Sequence, residues 1–135
     1  MLARVPSGVP TCCNKDFMKS QDNCIFCKIV AGQIPSSKVY EDDDLLAFHD
    51  LHPKAPVHFL VIPKSHIDSL AECGPGDADV LARMMLKVPE LARLAGCNNG
   101  FRTVINTGTD GGQEVFHLDL HVLGGPRDRW KSPAF

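Results

Sequence analysis

The sequence predicts an α+β domain with about five antiparallel strands, one short helix and one long helix. Alternating apolar and polar residues over Val115–Val122 and a nearly continuous apolar run over Val57–Ile62 are typical of strands. Apolar residues at i, i+3 and i+4 spacing over Asp77–Ala95 are typical of an amphipathic helix. Because helices do not alternate regularly with the strands, this order favours an antiparallel sheet with helices packed on it over a βαβ winding.

The 135 residues suit one domain with its own core. Residues 1–20 mix Pro6, Gly8, Pro10, Cys12 and Cys13 and show no periodicity, which predicts a disordered or loosely attached arm before a domain over residues 21–135. Met18 stands just before the patterned region. We hypothesise that translation starts there, and an intact mass of the native protein that includes residues 1–17 would contradict this.

Composition limits the class of partner. The formal net charge is −2 and the basic residues are scattered, so the chain lacks the electrostatic footprint of a protein that binds nucleic acid or an anionic membrane. No apolar run approaches the roughly 20 residues that span a bilayer, and the N-terminus lacks the apolar core of a signal peptide. We therefore expect a cytoplasmic protein, in which six cysteines favour thiols or a metal site over disulfides.

The first half of the domain predicts a short helix and three strands. Apolar residues recur at helical spacing from Ile25 to Val30, and Gly32 is a stop signal. Strand signals follow at Lys38–Glu41, Leu45–Asp50 and Val57–Ile62, the first two separated by an acidic turn of three aspartates. The third run is apolar throughout except for one histidine, as expected for a central strand covered on both faces.

The second half begins with the long helix, which Asp77 is placed to cap and Gly96 to terminate. Phe101–Asn106 has the composition of a further strand. A glycine-rich loop over residues 107–112 then leads into the last predicted strand, Val115–Val122.

That last strand predicts two different faces. Phe116, Leu118, Leu120 and Val122 would face the core, whereas His117, Asp119 and His121 would share the opposite face. One interpretation is a half-buried strand with a solvated polar face. Two histidines and an aspartate between glycines favour the other interpretation, in which this face lines a site.

A nucleotide site is one chemistry that these residues fit. The loop from Asn106 to Gln113 exposes backbone N–H groups that can hold an anion, although glycines also form hairpins. His117 and His121 are of a residue type that acts as nucleophile, general base or phosphate-stabilising cation. Asp50 would bind ribose hydroxyls. The base would need an apolar slot, for which the candidates, each more often plain core, are Ile25, Phe26, Ile29, Phe48 and Leu51.

A metal centre is the second chemistry. A strand rises about 3.4 Å per residue, so His117 and His121 would lie about 13 Å apart, too far to bind one ion together. Cys24 and Cys27 have the Cys-x-x-Cys spacing of a zinc site, and His58 and His117 would complete it if their strands are neighbours. The alternative is a pair of reduced thiols on a helix.

Four ordered blocks resemble the histidine-triad (HIT) family, specifically its Hint branch: Cys24–Ile29, Phe48–Asp50, Ala55–Lys64 and Asn106–Gly125. The resemblance covers residues 23–130. It implies an α+β fold that dimerises into a continuous antiparallel sheet. It also implies hydrolysis of purine nucleoside phosphoramidates or related AMP conjugates through a covalent nucleotidyl-histidine intermediate. No cofactor is implied for catalysis, but relatives with a similar Cys-x-x-Cys hold a structural zinc.

The resemblance implies roles for individual residues. The base and ribose of an AMP-type or GMP-type nucleotide would be surrounded by Ile25, Phe26, Ile29, Phe48, His49, Asp50 and Leu51. The phosphate would be surrounded by Asn106, Gly112, Gln113, Glu114, Val115 and His121. His58 and His117 would support the nucleophile or, with Cys24 and Cys27, bind the structural zinc. Trp130 would reach the active site of the partner subunit.

The chain departs from the family's motif at one position. The motif reads His-x-His-x-His with the middle histidine as nucleophile, and that position is Asp119. A carboxylate repels the anionic phosphate, and its attack would give a reactive acyl phosphate in place of a phosphoramidate. We therefore expect nucleotide binding to persist and turnover to be weak or absent. A natural pseudoenzyme, an engineered nucleophile variant and a one-base sequence error all fit this residue.

Three hypotheses follow from the sequence. The chain is a phosphoramidate hydrolase with impaired catalysis, a non-catalytic purine-nucleotide-binding protein, or a zinc-stabilised interaction protein. Release of AMP from a phosphoramidate, thermal stabilisation by AMP or GMP, and zinc content distinguish the three.

Overall fold

The computed structural model describes residues 20–131. The predicted N-terminal arm lies outside the described residues except for its last position, and the hypothesis of a start at Met18 lies wholly outside them. Within the described part of the chain, no helix is both long enough and apolar enough to cross a membrane.

A five-stranded antiparallel sheet forms the centre of the fold, in the order β1-β2-β3-β5-β4. The strands are β1 (Lys38–Glu41), β2 (Leu45–His49), β3 (Val57–Pro63), β4 (Phe101–Val104) and β5 (Leu120–Gly124). Two α-helices accompany them among the described residues, α1 (Ile25–Val30) and α2 (Ala78–Leu94), together with four short 3-10 helices. The predicted α+β architecture is confirmed.

The sheet is buried on both faces, which explains the apolar sequence of β3. Phe59 and Val61 pack in one core with Met84, Val88 and Leu91 of α2. The alternate residues of the strand, Leu60 and Ile62, pack in a second core with Phe26 and Ile29 of α1, and Leu46 and Phe48 of β2 join them. Since successive side chains of a strand point to opposite faces, β3 contributes to both cores.

The ends of α2 agree with the sequence signals, with one difference. The helix ends at Leu94, and Gly96 follows with a φ of +91°. Asp77 is the residue immediately before the helix. Its carboxylate accepts a hydrogen bond from the N–H of Gly74 at 2.9 Å and makes no capping bond to the helix. The aspartate therefore fixes the turn that leads into α2.

The predicted strand over Val115–Val122 is wrong in its first half, because β5 begins at Leu120. Upstream of it the backbone folds tightly: His117 N–H donates to Val115 O at 2.9 Å, and Leu118 N–H donates to Ile67 O at 2.7 Å. Phe116 is consequently 46% exposed instead of facing the core, while His117 is fully buried. The predicted core positions Leu118, Leu120 and Val122 are confirmed.

Candidate active site and metal centre

Two cysteines and two histidines converge at the N-terminus of α1. Cys24 is the residue before the helix, and its Sγ accepts the N–H of Cys27 at 3.2 Å, which places both sulfurs on one side of the first turn. His117 Nδ1 lies 3.3 Å from Cys24 Sγ and 3.6 Å from Cys27 Sγ. His66 Nδ1 lies 3.2 Å from Cys27 Sγ. All four side chains are buried, and their ligand atoms lie within 4.8 Å of one another.

Hydrogen bonds on the far side of each ring orient the two imidazoles toward the sulfurs. His117 Nε2 donates to Pro63 O at 2.8 Å, and His66 Nε2 donates to the Asp68 carboxylate at 2.5 Å. For each ring these bonds select the neutral tautomer whose Nδ1 lone pair faces the cluster, the arrangement of metal-binding histidines. Burial lowers the pKa of His117 to about 4, although its bond to Pro63 opposes the shift, so this ring is neutral at pH 7.

The four residues fit a tetrahedral zinc ion of the Cys₂His₂ type. Burial raises the pKa of the Cys24 thiol, which keeps it protonated at neutral pH without a cation nearby. A bound zinc ion would favour the thiolate and supply structural cross-linking. The residues Cys24, Cys27, His66 and His117 would hold it.

The sequence-based zinc set requires one correction, because His66 takes the place given to His58. His58 lies at the start of β3, whereas His117 bonds to Pro63 at its end, and five residues of strand span about 17 Å. The missed signal was a histidine three residues after the central strand, close to the end where the cluster forms. Its orienting partner, Asp68, was missed as well.

His58 forms a second chain of contacts with His121 and Asp119. Lys54 N–H donates to His58 Nδ1 at 3.0 Å, and His58 Nε2 lies 3.0 Å from His121 Nδ1. Burial lowers the pKa of His58 to about 4; Asp50 opposes this shift, and His121 adds to it. The neutral His58 ring therefore carries its proton on Nε2, and this N–H donates a hydrogen bond to His121 Nδ1.

This bond fixes the state of His121. Because its Nδ1 accepts from His58, its proton lies on Nε2, which is 3.4 Å from Asp119 Oδ1. Asp50 Oδ2 lies 3.6 Å from His58 Nε2. Asp50, His58 and His121 have the spacing of a metal site, but the Lys54 amide makes His58 Nε2 a donor and so disfavours it as a ligand. We assign this group to hydrogen bonding.

The sheet explains why the two histidines meet. His58 and His121 belong to adjacent antiparallel strands, in which Leu60 is the partner of His121 and Leu123 is the partner of His58. The two histidines are diagonal neighbours on the sheet face that carries α1, whereas Leu120 and Val122 point to the other face. Asp119 comes just before β5 and is 8% exposed, so its carboxylate is buried beside His121.

The glycine loop is closed by one side chain. Gly108 and Gly112 have φ values of +73° and +83°, which only glycine adopts without strain, and they flank the 3-10 helix Thr109–Gly111. Gln113 Oε1 accepts the N–H of Gly108 at 2.8 Å. Its Nε2 donates to Asp68 O at 2.8 Å and to Val115 O at 3.1 Å. In this structure Gln113 holds the loop, and its contact with phosphate stays a prediction.

The structure divides the predicted nucleotide-binding residues. Phe26, Ile29 and Phe48 lie in the core beneath α1, where the two phenylalanine rings meet edge to face at 5.5 Å. Ile25 and Leu51 are 51% and 86% exposed. His49, Gly112 and Glu114 are exposed, and Asp50, Asn106 and Val115 are half-buried. A cleft of about 210 Å³ brings together Ile25, Glu114 and Val115, with Gln21, Asn23, Cys24 and Phe116 as its other lining residues.

Trp130 is held in place next to the end of β5. Its Nε1 donates to Gly125 O at 2.9 Å, and the guanidinium carbons of Arg127 and Arg102 lie 4.5 and 5.3 Å from the ring centre. These contacts fix the ring on its own protomer. Its reach into a partner's site stays a prediction.

With this geometry in place, comparison with known proteins identifies the family. Residues 23–131 match the family model described as scavenger mRNA decapping enzyme C-terminal binding. Over 105 residues the chain is 56% identical to protein HitA of Neisseria gonorrhoeae, a match that covers 78% of this chain and 98% of HitA. The chain belongs to the histidine-triad (HIT) family. An uncharacterized HIT-like protein of Synechocystis sp. is 47% identical over 109 residues, which cover 81% of this chain and 96% of that protein.

Solved HIT structures share the fold. A HIT family hydrolase from Legionella pneumophila aligns with a TM-score of 0.76 and 44% identity, covering 78% of this chain and 95% of that one. A histidine triad protein from Clostridium difficile aligns with a TM-score of 0.77 and 48% identity, covering 80% of this chain and 95% of that one. The scaffold is therefore that of a HIT family hydrolase.

Proposed function

We propose that this chain is a Hint-type, purine-nucleotide-binding HIT protein whose hydrolysis of nucleoside phosphoramidates or AMP conjugates is impaired by Asp119. The observation that carries the proposal is the buried Asp119 carboxylate 3.4 Å from His121 Nε2. The resemblance to the HIT family implies that this is the position of the group that attacks phosphorus. The protein would act as a homodimer in the cytosol, where the cysteines of the metal cluster stay reduced.

In a competent member of the family, an imidazole at position 119 would attack phosphorus and the amine would leave. The imidazole nitrogen would form a bond to phosphorus as the phosphorus–nitrogen bond to the amine breaks, and the leaving nitrogen would take up a proton and depart as a neutral amine. Water would then hydrolyse the nucleotidyl-imidazole. Here His121 lies beside position 119 and His58 contacts His121, but the group at the proposed attacking position is a carboxylate. Two like charges 4 Å apart repel by about 1 kcal/mol in water and about 4 kcal/mol at an effective dielectric of 20. The carboxylate therefore weakens both attack and phosphate binding.

The decisive experiment compares the natural chain with Asp119→His and Asp119→Asn in one assay of AMP release from an adenosine phosphoramidate. We expect Asp119→His to raise the rate by about three orders of magnitude or more, because it restores a covalent nucleophile. Asp119→Asn removes the negative charge without supplying a nucleophile. It should bind AMP at least about fivefold more tightly and remain as slow as the natural chain. Equal rates for Asp119→His and the natural chain would mean that position 119 is not the chemical centre.

A purely nucleotide-binding role is the second candidate, and the same carboxylate favours it. Calorimetry and thermal shift with AMP and GMP test it separately from catalysis. Binding heat together with a raised Tm, in a chain that releases no AMP, would assign the protein to this class. The absence of both signals with either nucleotide would reject nucleotide binding altogether.

A further inference from the structure

Asp68 contacts both the cluster of Cys24, Cys27, His66 and His117 and the glycine loop. Its carboxylate accepts from His66 Nε2 at 2.5 Å, and its backbone carbonyl accepts from Gln113 Nε2 at 2.8 Å. The other end of the Gln113 amide accepts the N–H of Gly108 at 2.8 Å. A continuous path of four hydrogen bonds, each involving a side chain, therefore joins Cys27, through His66, Asp68 and Gln113, to Gly108, the first glycine of the loop.

The carboxylate end of this path prepares His66 for a metal. The bond from His66 Nε2 to Asp68 selects the neutral tautomer whose Nδ1 lone pair faces Cys27 Sγ, 3.2 Å away. Carboxylates in this position fix the ring orientation of a ligating histidine and increase its basicity. The Asp68 side chain is half exposed, so it can be replaced without leaving a cavity in the core.

The carbonyl end of the path holds the loop. Within the loop, Gly111 N–H and Gln113 N–H both donate to Gly108 O, at 3.2 and 3.1 Å, which keeps the turn compact. The Gln113 side chain joins this turn to the segment after β3 through the Asp68 carbonyl. A metal that immobilised His66 would also restrain the backbone carbonyl of Asp68, two residues later, which accepts the hydrogen bond from Gln113 Nε2.

We propose that Asp68 is a positioning residue that couples metal binding at Cys24, Cys27, His66 and His117 to the order and anion affinity of the glycine loop. Such coupling is reciprocal: zinc strengthens nucleotide binding by the same factor by which the nucleotide strengthens zinc binding. The nucleotide half of this inference rests on the proposed function, whereas the effect of zinc on the loop does not.

The role of the Asp68 carboxylate is tested by the zinc affinity alone, which is measured by chelator competition on the full chain without nucleotide. We expect Asp68→Ala to weaken zinc binding by about 10- to 100-fold and Asp68→Glu to recover part of that loss. Asp43→Ala removes an exposed carboxylate from the β1–β2 turn and serves as the charge control, with affinity unchanged. An Asp68→Ala chain that binds zinc as tightly as the natural chain would overturn the assignment. Equal Tm values at saturating zinc would show that the variants are folded.

The role of the Asp68 carbonyl is tested by hydrogen exchange of the glycine loop with and without zinc. Zinc should slow exchange of the Gly108 amide in the natural chain, and this effect should be lost in Gln113→Met, which retains the side-chain length but neither hydrogen-bonding group. Zinc affinity of Gln113→Met without nucleotide should stay within about threefold of the natural value. The amides of β3 provide the internal reference. Protection that zinc adds equally to β3 and the loop would mean that the metal supports the whole fold, and would overturn a local coupling.

The nucleotide arm uses AMP titrations of the natural chain and Gln113→Met, each with and without zinc. Zinc should lower the Kd for AMP by about fivefold or more in the natural chain. In Gln113→Met the Kd for AMP should be the same with and without zinc. AMP binding of equal strength with and without zinc would overturn the coupling and leave the proposed function intact. A complete absence of AMP binding would reject the proposed function, while the zinc-affinity and exchange results would still decide the role of Asp68.

Discussion

At the scale of single residues, the backbone amide of Lys54 determines the protonation pattern of the candidate active site. By donating to His58 Nδ1, it directs the His58 proton to His121, and this in turn directs the His121 proton toward Asp119. A charged His58 would carry a second N–H, on Nδ1, and this group would face the N–H of Lys54. The low pKa of His58, about 4, follows first from burial and then from this environment.

The pKa of His58 predicts a pH-dependent stability. In the unfolded chain His58 takes up a proton near pH 6.5, but in the folded chain only near pH 4. Between these values the unfolded state binds more protons, so the free energy of unfolding falls as the pH falls. We expect the stability of the natural chain relative to His58→Gln to drop by as much as about 3 kcal/mol from pH 7 to pH 4.

Urea unfolding at several pH values, with zinc held constant, measures this difference. The control is His52→Gln, because the His52 side chain is exposed, and its stability difference from the natural chain should be flat to within about 0.5 kcal/mol. A difference between the natural chain and His58→Gln that does not change with pH would contradict the burial of an uncharged His58.

At the scale of elements, the approach of β5 to the segment before β3 depends on Gly125. Its φ is +100°, and a Cβ at this position would lie 2.8 Å from Cβ and 2.9 Å from Cγ of Pro56. Its carbonyl accepts from Trp130. Gly125 therefore allows the end of β5 to approach Pro56, the residue before β3, and its carbonyl holds Trp130.

Gly125→Ala should lower the free energy of unfolding by about 1–3 kcal/mol, because it combines a strained φ with a clash against a rigid ring. Trp130 is the single tryptophan of the chain, so its fluorescence reports directly on the displaced contact. Gly76→Ala is the matched control: φ there is not in the left-handed region and a Cβ would meet no atom within 4 Å. Equal stability of the two alanine variants would contradict the packing described.

At the scale of the molecule, the metal cluster joins parts of the fold that are far apart in sequence. It combines the start of α1, the segment after β3 and the residues before β5. We expect about one zinc per chain after purification, and a Tm that falls by at least about 5 °C when a chelator removes it.

Cys27→Ser should lose both the zinc and the chelator-sensitive part of the Tm. Cys73→Ser should retain both, since Cys73 is a half-buried thiol outside the cluster. Metal analysis showing far less than one zinc per chain in a protein of undiminished Tm would reject a structural zinc.

The edges of the sheet predict how two copies would associate. β1 is an unsuitable edge, since its pairing with β2 is irregular between Lys38 and Tyr40 and it carries charged ends. β4 is the other edge and pairs regularly with β5. Phe101 on β4 is 39% exposed, and Leu94 at the end of α2 is 78% exposed. β4 is therefore the edge through which we expect the homodimer to form.

We expect sedimentation equilibrium to give twice the 14.7 kDa mass of the chain at micromolar concentration. Hydrogen exchange should show protection of those β4 amides that point away from β5, and dilution to the monomer should remove it. A mass of one chain at 100 micromolar would contradict the dimer, as would fast exchange along β4 in a sample of twice the mass.

The fold was predictable from the sequence because its signals are local. The apolar run of β3, the spacing in α2 and the terminating Gly96 each depend on residues close together in the chain. The failure at Val115–Val122 has a tertiary cause: Leu118 bonds to Ile67, which alternation cannot reveal, and so His117 turns inward and Phe116 outward. The zinc set was mistaken at one residue because choosing between His58 and His66 requires knowing which end of β3 meets α1.

The sequence by itself determined the two helices, most of the strand residues, the Cys-x-x-Cys pair and an aspartate between two histidines at position 119, since each depends on neighbouring residues. Only the tertiary structure decided how the histidines divide. Strand pairing brings His58 to His121, and the turn before β5 sends His117 to the cysteines, where His66 and Asp68 join it. The physical reason is that metal geometry and proton direction depend on distances of a few ångströms between residues up to 93 positions apart.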